Sequence, residues 1–169
     1  MVKVVIGFSR PKCMKFKFFA WLIMKSYGTP YSHSYIRIHS EKFNRDLIYQ
    51  ASQTLVNFMG MEVFNEEAHI VEEFEFNISD QQYIEMMQFA IDSAGIPYGL
   101  KECFGMAYVR IMEILGKKAK NPFRDGQHTY VCSELVAYIL KSYLGGSIPT
   151  DYEDMSPLDL YKVIKTIKG

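Results

Sequence analysis

Cys132 stands in the run Tyr130-Val131-Cys132-Ser133-Glu134-Leu135, at the head of a stretch whose apolar positions recur every three to four residues. Thr129 reads as an N-cap, which places Cys132 in the first turn of a helix over residues 129–143. Unpaired backbone N–H groups and the positive end of the helix dipole both favour a thiolate there. The same N–H groups could hold the oxyanion that forms when a thiolate attacks a carbonyl. A free cysteine is also a good small core residue, so the residue type alone does not decide. Cys13 shares part of this logic: it too begins a helix, among Arg10, Lys12 and Lys15. Cys103 falls in the middle of a helix and is the weakest of the three.

A thiol nucleophile needs a base within reach. His33 opens a strand in which Ser34, Ile36 and Ile38 alternate with His33, Tyr35, Arg37 and His39. It therefore lies on the more polar face, where a cleft would form. His39 shares that face, but six residues of strand put it roughly 20 Å away. His69 follows Glu66-Glu67 and reads as solvated. His128, four residues before Cys132, is a local rival to His33. The residue opposite His33 in the next strand should be Gln50 or Ala51, and the Gln50 amide oxygen can accept from an imidazole N–H and orient the ring.

These residues need elements to hold them. Val2–Phe8 is a β-branched run and reads as a strand. A helix follows Pro11 and runs to about Tyr27, stopped by Gly28 and Pro30; it is apolar nearly all round, which predicts deep burial. Residues 34–39 and 46–51 read as a hairpin, and residues 61–64 and 70–78 as further strands, with strict alternation over 73–78. Ser79 and Gln82 form a capping box that opens a helix with Ile84, Met87, Ile91 and Ala94 on its inner stripe. Gly95 ends it. Residues 100–115 form the next helix, residues 117–127 a polar loop, and Ser156-Pro157 the start of a last helix. Strands gather early and helices late, which predicts one α+β domain over residues 1–169, an antiparallel sheet packed against helices.

Composition narrows the function classes. Half of the 169 residues are hydrophobic (49%), enough for a real core. Lys+Arg and Asp+Glu balance at 19 each, which excludes a strongly basic nucleic-acid binder. Three widely spaced cysteines without a Cys-x-x-Cys pair argue against a structural zinc site or a disulfide framework. They fit a reducing compartment, and no metal or cofactor is expected. No Walker-type phosphate loop is present, and Lys117, Lys118 and Lys120 read as a small solvated loop. The stretch from Phe16 to Gly28 is shorter than the roughly 20 residues a bilayer crossing needs, so no transmembrane segment is expected, although a peripheral membrane face remains compatible. The start MVKVVIGFSRPK lacks the pattern of a secretion signal, and the expected location is cytoplasmic or virion-associated.

The early Tyr31-Ser32-His33-Ser34, then Ile48-Tyr49-Gln50-Ala51-Ser52, then Gly95-Ile96-Pro97-Tyr98-Gly99, then Tyr130-Val131-Cys132-Ser133-Glu134-Leu135 resemble, in that order, the circularly permuted branch of the NlpC-type papain-like hydrolases. There the His-bearing sheet precedes the Cys-bearing helix, the reverse of papain's order. The resemblance covers most of the chain. It implies Cys132 as nucleophile, His33 as general base and Gln50 as the third, orienting residue, where many relatives carry Glu or His. Tyr31, Ser34, Tyr98 and Tyr130, which stand in the same motifs, are implied as substrate-binding. The family includes bacterial and phage peptidoglycan amidases and endopeptidases, and acyltransferases and lipases resembling lecithin retinol acyltransferase. Three readings follow: a cysteine peptidase or amidase cleaving an amide, such as a cell-wall peptide bond; a lipid or thioester acyl hydrolase or acyltransferase; and a catalytically silent binding or structural module of a virion or other assembly.

Overall fold

The computed structural model describes residues 1–12, 17–52, 54–123, 129–148, 152 and 155–169, without the side chains of residues 17–19. Among these residues five strands and six helices follow in the order β1 (Val2–Pro11), α1 (Lys17–Tyr27), β2 (His33–Ser40), β3 (Arg45–Ser52), β4 (Leu55–Gly60), α2 (Met61–Glu67), β5 (Ala68–Ile78), α3 (Asp80–Asp92), α4 (Leu100–Ile114), α5 (Cys132–Ser142) and α6 (Pro157–Lys168). The strands form one antiparallel sheet in the order β4-β3-β2-β1-β5. The expected α+β class with an antiparallel sheet against helices is therefore what the chain adopts.

β1 is an interior strand, paired to β2 on one side and to the edge strand β5 on the other. That explains its unbroken apolar run: residues 4–9 are buried, with neighbours on both faces. Gly7 pairs with Tyr35, whose ring lies where a Cβ on Gly7 would stand. One face of the sheet carries the main core. Ile6, Phe8, Ile36, Tyr49 and Phe76 pack there against Leu135, Ile139 and Leu140 of α5, Met86 of α3 and Leu160 of α6. On the other face α2 drops Phe64 onto Tyr35 and Ile48, so the polar side of β2 expected to be an open cleft is covered at Tyr35.

Several boundaries differ from the sequence reading for identifiable reasons. Residues 61–64 are not a strand but the first turn of α2; the strand is Leu55–Gly60, paired along β3. A four-residue apolar run is ambiguous between the two states, and the need to cover Tyr35 and Ile48 settles it. In α3 the capping box is as expected, with Ser79 Oγ accepting from the Gln82 N–H. The inner stripe is not: Met86 and Ala90 are buried, while Ile84 and Ile91 are 60% and 58% exposed. The first helix is less buried than its composition predicts, since Ala20 is enclosed but Trp21 is 49% exposed. Finally, α5 starts at Cys132 with Val131 at the N-cap position, and Thr129 is no cap. Residues 129–131 are held extended instead, because Tyr130 bridges in parallel to Tyr98.

Candidate active site

The later start of α5 sharpens the position of Cys132, which becomes the first residue of the helix. Its helix is anchored hard. Leu135, Val136, Ala137, Ile139 and Leu140 are all fully enclosed, and α5 packs on β2 and β3. Val131 at the N-cap makes no side-chain cap bond, and the Glu134 carboxylate accepts from the Val131 N–H at 3.4 Å. The first-turn N–H groups point where a developing oxyanion beside the Cys132 sulfur would need donors.

The packing brings the N-terminus of α5 against the beginning of β2, where His33 and Cys132 lie close enough to shift each other's protonation. His33 Nε2 in turn lies 2.8 Å from Gln50 Oε1. A carbonyl oxygen accepts only, so Nε2 carries the proton and Nδ1 is left to take the thiol proton. Continuing the β2–β3 register beyond Ile36↔Tyr49 puts His33 opposite Ser52, not Gln50. The two are diagonal neighbours on one face, a distance that long side chains bridge. Gln50 is 3% exposed, and its amide N–H donates to Met59 Sδ at 3.9 Å, which fixes the orientation of the amide. The three residues singled out in the sequence thus form one chain, thiol to imidazole to amide. His128 and Cys13 lie outside the described residues. His39 is exposed and paired with Asp46 at 2.7 Å, and His69 is exposed.

The electrostatics favour an ion pair. Burial opposes a charge on Cys132, but the hydrogen bond and charge of His33 and the Ser34 contacts outweigh it, and the thiol pKa is lowered. His33 is shifted the other way: burial opposes its protonation, and the bonds to Cys132 and Gln50 overcome this and raise it. Ser34 approaches the sulfur with its backbone amide and its hydroxyl. The hydroxyl is buried but does not reach regular hydrogen-bond geometry with any atom, so the amide is the firmer donor.

Tyr98 arrives from the far edge of the sheet. Gly95, at φ +93°, reverses the chain after α3, and residues 95–98 then run along β4 through Gly95 N–H to Val56 O and Tyr98 N–H to Thr54 O. This delivers the Tyr98 hydroxyl to both Cys132 and Cys103, the latter at 3.3 Å. Burial keeps the phenol well above its usual pKa, so it is a neutral donor. Burial likewise pushes the Cys103 thiol up to about 12. Cys103 is the neighbour that the sequence did not reveal: read there as mid-helix, it is the fourth residue of α4, where its thiol meets Tyr98. Of the other residues implied by the motifs, Ser34 touches the sulfur, but Tyr31 and Tyr130 do not. Tyr31 is 3% exposed and stacks in the core against Phe8 and Tyr161, with ring centres 4.9 and 5.1 Å away. Tyr130 contributes its backbone, accepting from the Gly99 N–H, while its ring leans towards Phe89.

The two thiols should therefore separate by alkylation. Iodoacetamide should modify Cys132 at neutral pH and leave Cys103 untouched in the folded protein. The Cys132 profile should rise below the ordinary thiol range, because the lowered pKa keeps the thiolate at a pH where a free cysteine is protonated. Peptide mass spectrometry across a pH series measures this; equal reactivity of Cys132 and Cys103 would contradict the ion pair.

No protein-family model matches the chain, and no curated protein matches it. Among solved structures it is similar to the metalloprotein yiiX from Escherichia coli O157:H7, of DUF1105, with a TM-score of 0.55 and 15% identity over 95% of this chain and 78% of that one. At that identity the likeness concerns the fold alone. As for the metal that name implies, among the described residues no group of three or more His, Cys, Asp or Glu could hold one.

Proposed function

We propose that the chain is a thiol hydrolase of the circularly permuted papain-like type, acting on an amide through an acyl-enzyme. The observation that carries this reading is the chain Cys132–His33–Gln50, with the sulfur at a helix N-terminus. The Cys132 thiolate attacks the carbonyl carbon, and the first-turn N–H groups of α5 receive the oxyanion. Protonated His33 gives its proton to the leaving amine. It then takes a proton from water, which attacks the thioester and frees Cys132. Gln50 holds the ring in the productive tautomer throughout, and Tyr98, a neutral phenol hydrogen-bonded to Cys103, stands beside the Cys132 sulfur.

An activated ester reads the mechanism without knowledge of the natural substrate. With p-nitrophenyl acetate the protein should release a burst of one nitrophenolate per chain and carry one acetyl group on Cys132 in the intact mass. Cys132→Ala should show neither. Acetylation elsewhere, or no burst, would sink the reading. Peptide amides against acyl esters of graded chain length then separate an amidase from a lipid or thioester hydrolase.

A further inference from the structure

α4 has two unlike faces. Glu102, Cys103 and Gly105 are turned into the protein, and Cys103 meets Tyr98 there. The opposite face carries Leu100, Phe104, Tyr108, Ile111, Ile114 and Leu115, each between 45% and 65% exposed. At 100° per residue these positions fall within an arc of about 120°, and the arc runs the length of the helix, about 22 Å. No charged residue interrupts it. Soluble proteins tolerate scattered exposed hydrophobes, whereas a continuous stripe of this length marks a docking surface. Trp21 of α1, the helix packed beside α4, adds a ring that is 49% exposed.

The charges around the stripe identify what covers it. Between residues 100 and 123 the exposed charged residues are Lys101, Lys117, Lys118, Lys120 and Glu113. Glu113 is held by Arg110 at 3.0 Å on the far side of the helix. The rim is therefore cationic. A second copy docking by two-fold symmetry would set this lysine rim near itself, while Glu113, the one exposed carboxylate among the described residues 100–123, lies on the far side of the helix. A bilayer surface with anionic headgroups supplies both parts, apolar depth for the stripe and negative charge for the lysines. The lysine stems lie along the apolar surface while their ammonium groups reach the headgroups. Among the described residues no helix is long and apolar enough to cross a membrane, so the contact is one that lies in the interface.

We propose that the outer face of α4 docks the protein on anionic lipid bilayers. This does not rest on the chemistry of Cys132. The test is sedimentation with phosphatidylglycerol-phosphatidylcholine vesicles against pure phosphatidylcholine vesicles. The wild type should partition to the anionic vesicles at least about tenfold more strongly, since each lysine near the surface adds its own attraction. The triple variant Tyr108→Gln, Ile111→Gln, Leu115→Gln should lose most of that binding. So should Lys117→Glu with Lys118→Glu, which leaves the stripe intact and reads the same surface should the triple variant not fold. Cys132→Ala should bind as the wild type does. The proposal is overturned if the wild type stays in solution, if both sets of variants bind unchanged, or if Cys132→Ala abolishes binding, which would put the lipid at the cleft instead. It is also overturned if the wild type ignores vesicles but forms a concentration-dependent dimer in the ultracentrifuge that the triple variant abolishes, because a second copy is then the occupant.

Discussion

His33→Ala should lower the rate of acyl-enzyme formation by about 10³- to 10⁴-fold, the upper part of the range for loss of a positioned acid-base group. Three effects combine. The thiol loses the base that takes its proton. The thiolate loses the imidazolium that stabilises it, and burial, the largest influence on Cys132, is then opposed only by Ser34 and the N-terminal end of α5. The leaving group loses its proton donor. The alkylation profile of Cys132 should accordingly move to higher pH, a readout that a general loss of stability would not produce. The wild-type rate should follow a bell. Its acid limb, set by protonation of Cys132, should lie below the ordinary thiol range, and its basic limb, set by His33, above the ordinary imidazole value, because the first pKa is lowered and the second raised. In His33→Ala the basic limb should vanish. An unchanged profile in this variant would mean that another group, with His128 the nearest in sequence, supplies the base.

The site was more legible in the sequence than the layer that supports it. Cys132, His33 and Gln50 could be singled out because each has a side chain whose chemistry is uncommon at its position, and strand alternation relates His33 to the next strand. That Ser52, rather than Gln50 or Ala51, stands opposite His33 did not hide Gln50, since a glutamine spans a diagonal pair. Cys103 and the exact start of α5 were not legible, because both depend on the segment 95–99 running along β4 and pairing Tyr98 with Tyr130. Such pairing is set by tertiary contact and leaves no periodic trace. Tyr31 shows the converse. It sits one residue from the Ser-His strand, yet its ring completes the core stack with Phe8 and Tyr161 rather than the cleft. Proximity in a motif carries no information about which face a ring takes at the turn between α1 and β2.

Helix α3 turns this into a stability measurement, because its apolar residues outnumber its inward positions. Ile84 and Ile91 look like core from their spacing, but the face that meets the sheet carries Met86 and Ala90. Ile84→Ala should therefore cost less than about 0.5 kcal/mol, as for surface changes in general. Leu135→Ala should be of another order. Leu135 is fully buried under the first turn of α5, among residues from every layer of the core, and its loss leaves a cavity that the helix cannot collapse into without moving Cys132. Buried leucine truncations cost about 2–5 kcal/mol. In a chain of this size that lowers the melting temperature by roughly 4–20 °C. Urea unfolding followed by circular dichroism measures both variants on one scale. At urea concentrations where both remain folded, Cys132 alkylation should be unchanged in Ile84→Ala. In Leu135→Ala it should shift towards ordinary thiol behaviour, since relaxation of the first turn loosens the contact with His33. Equal stability of the two variants would show that α5 does not anchor the nucleophile through this core.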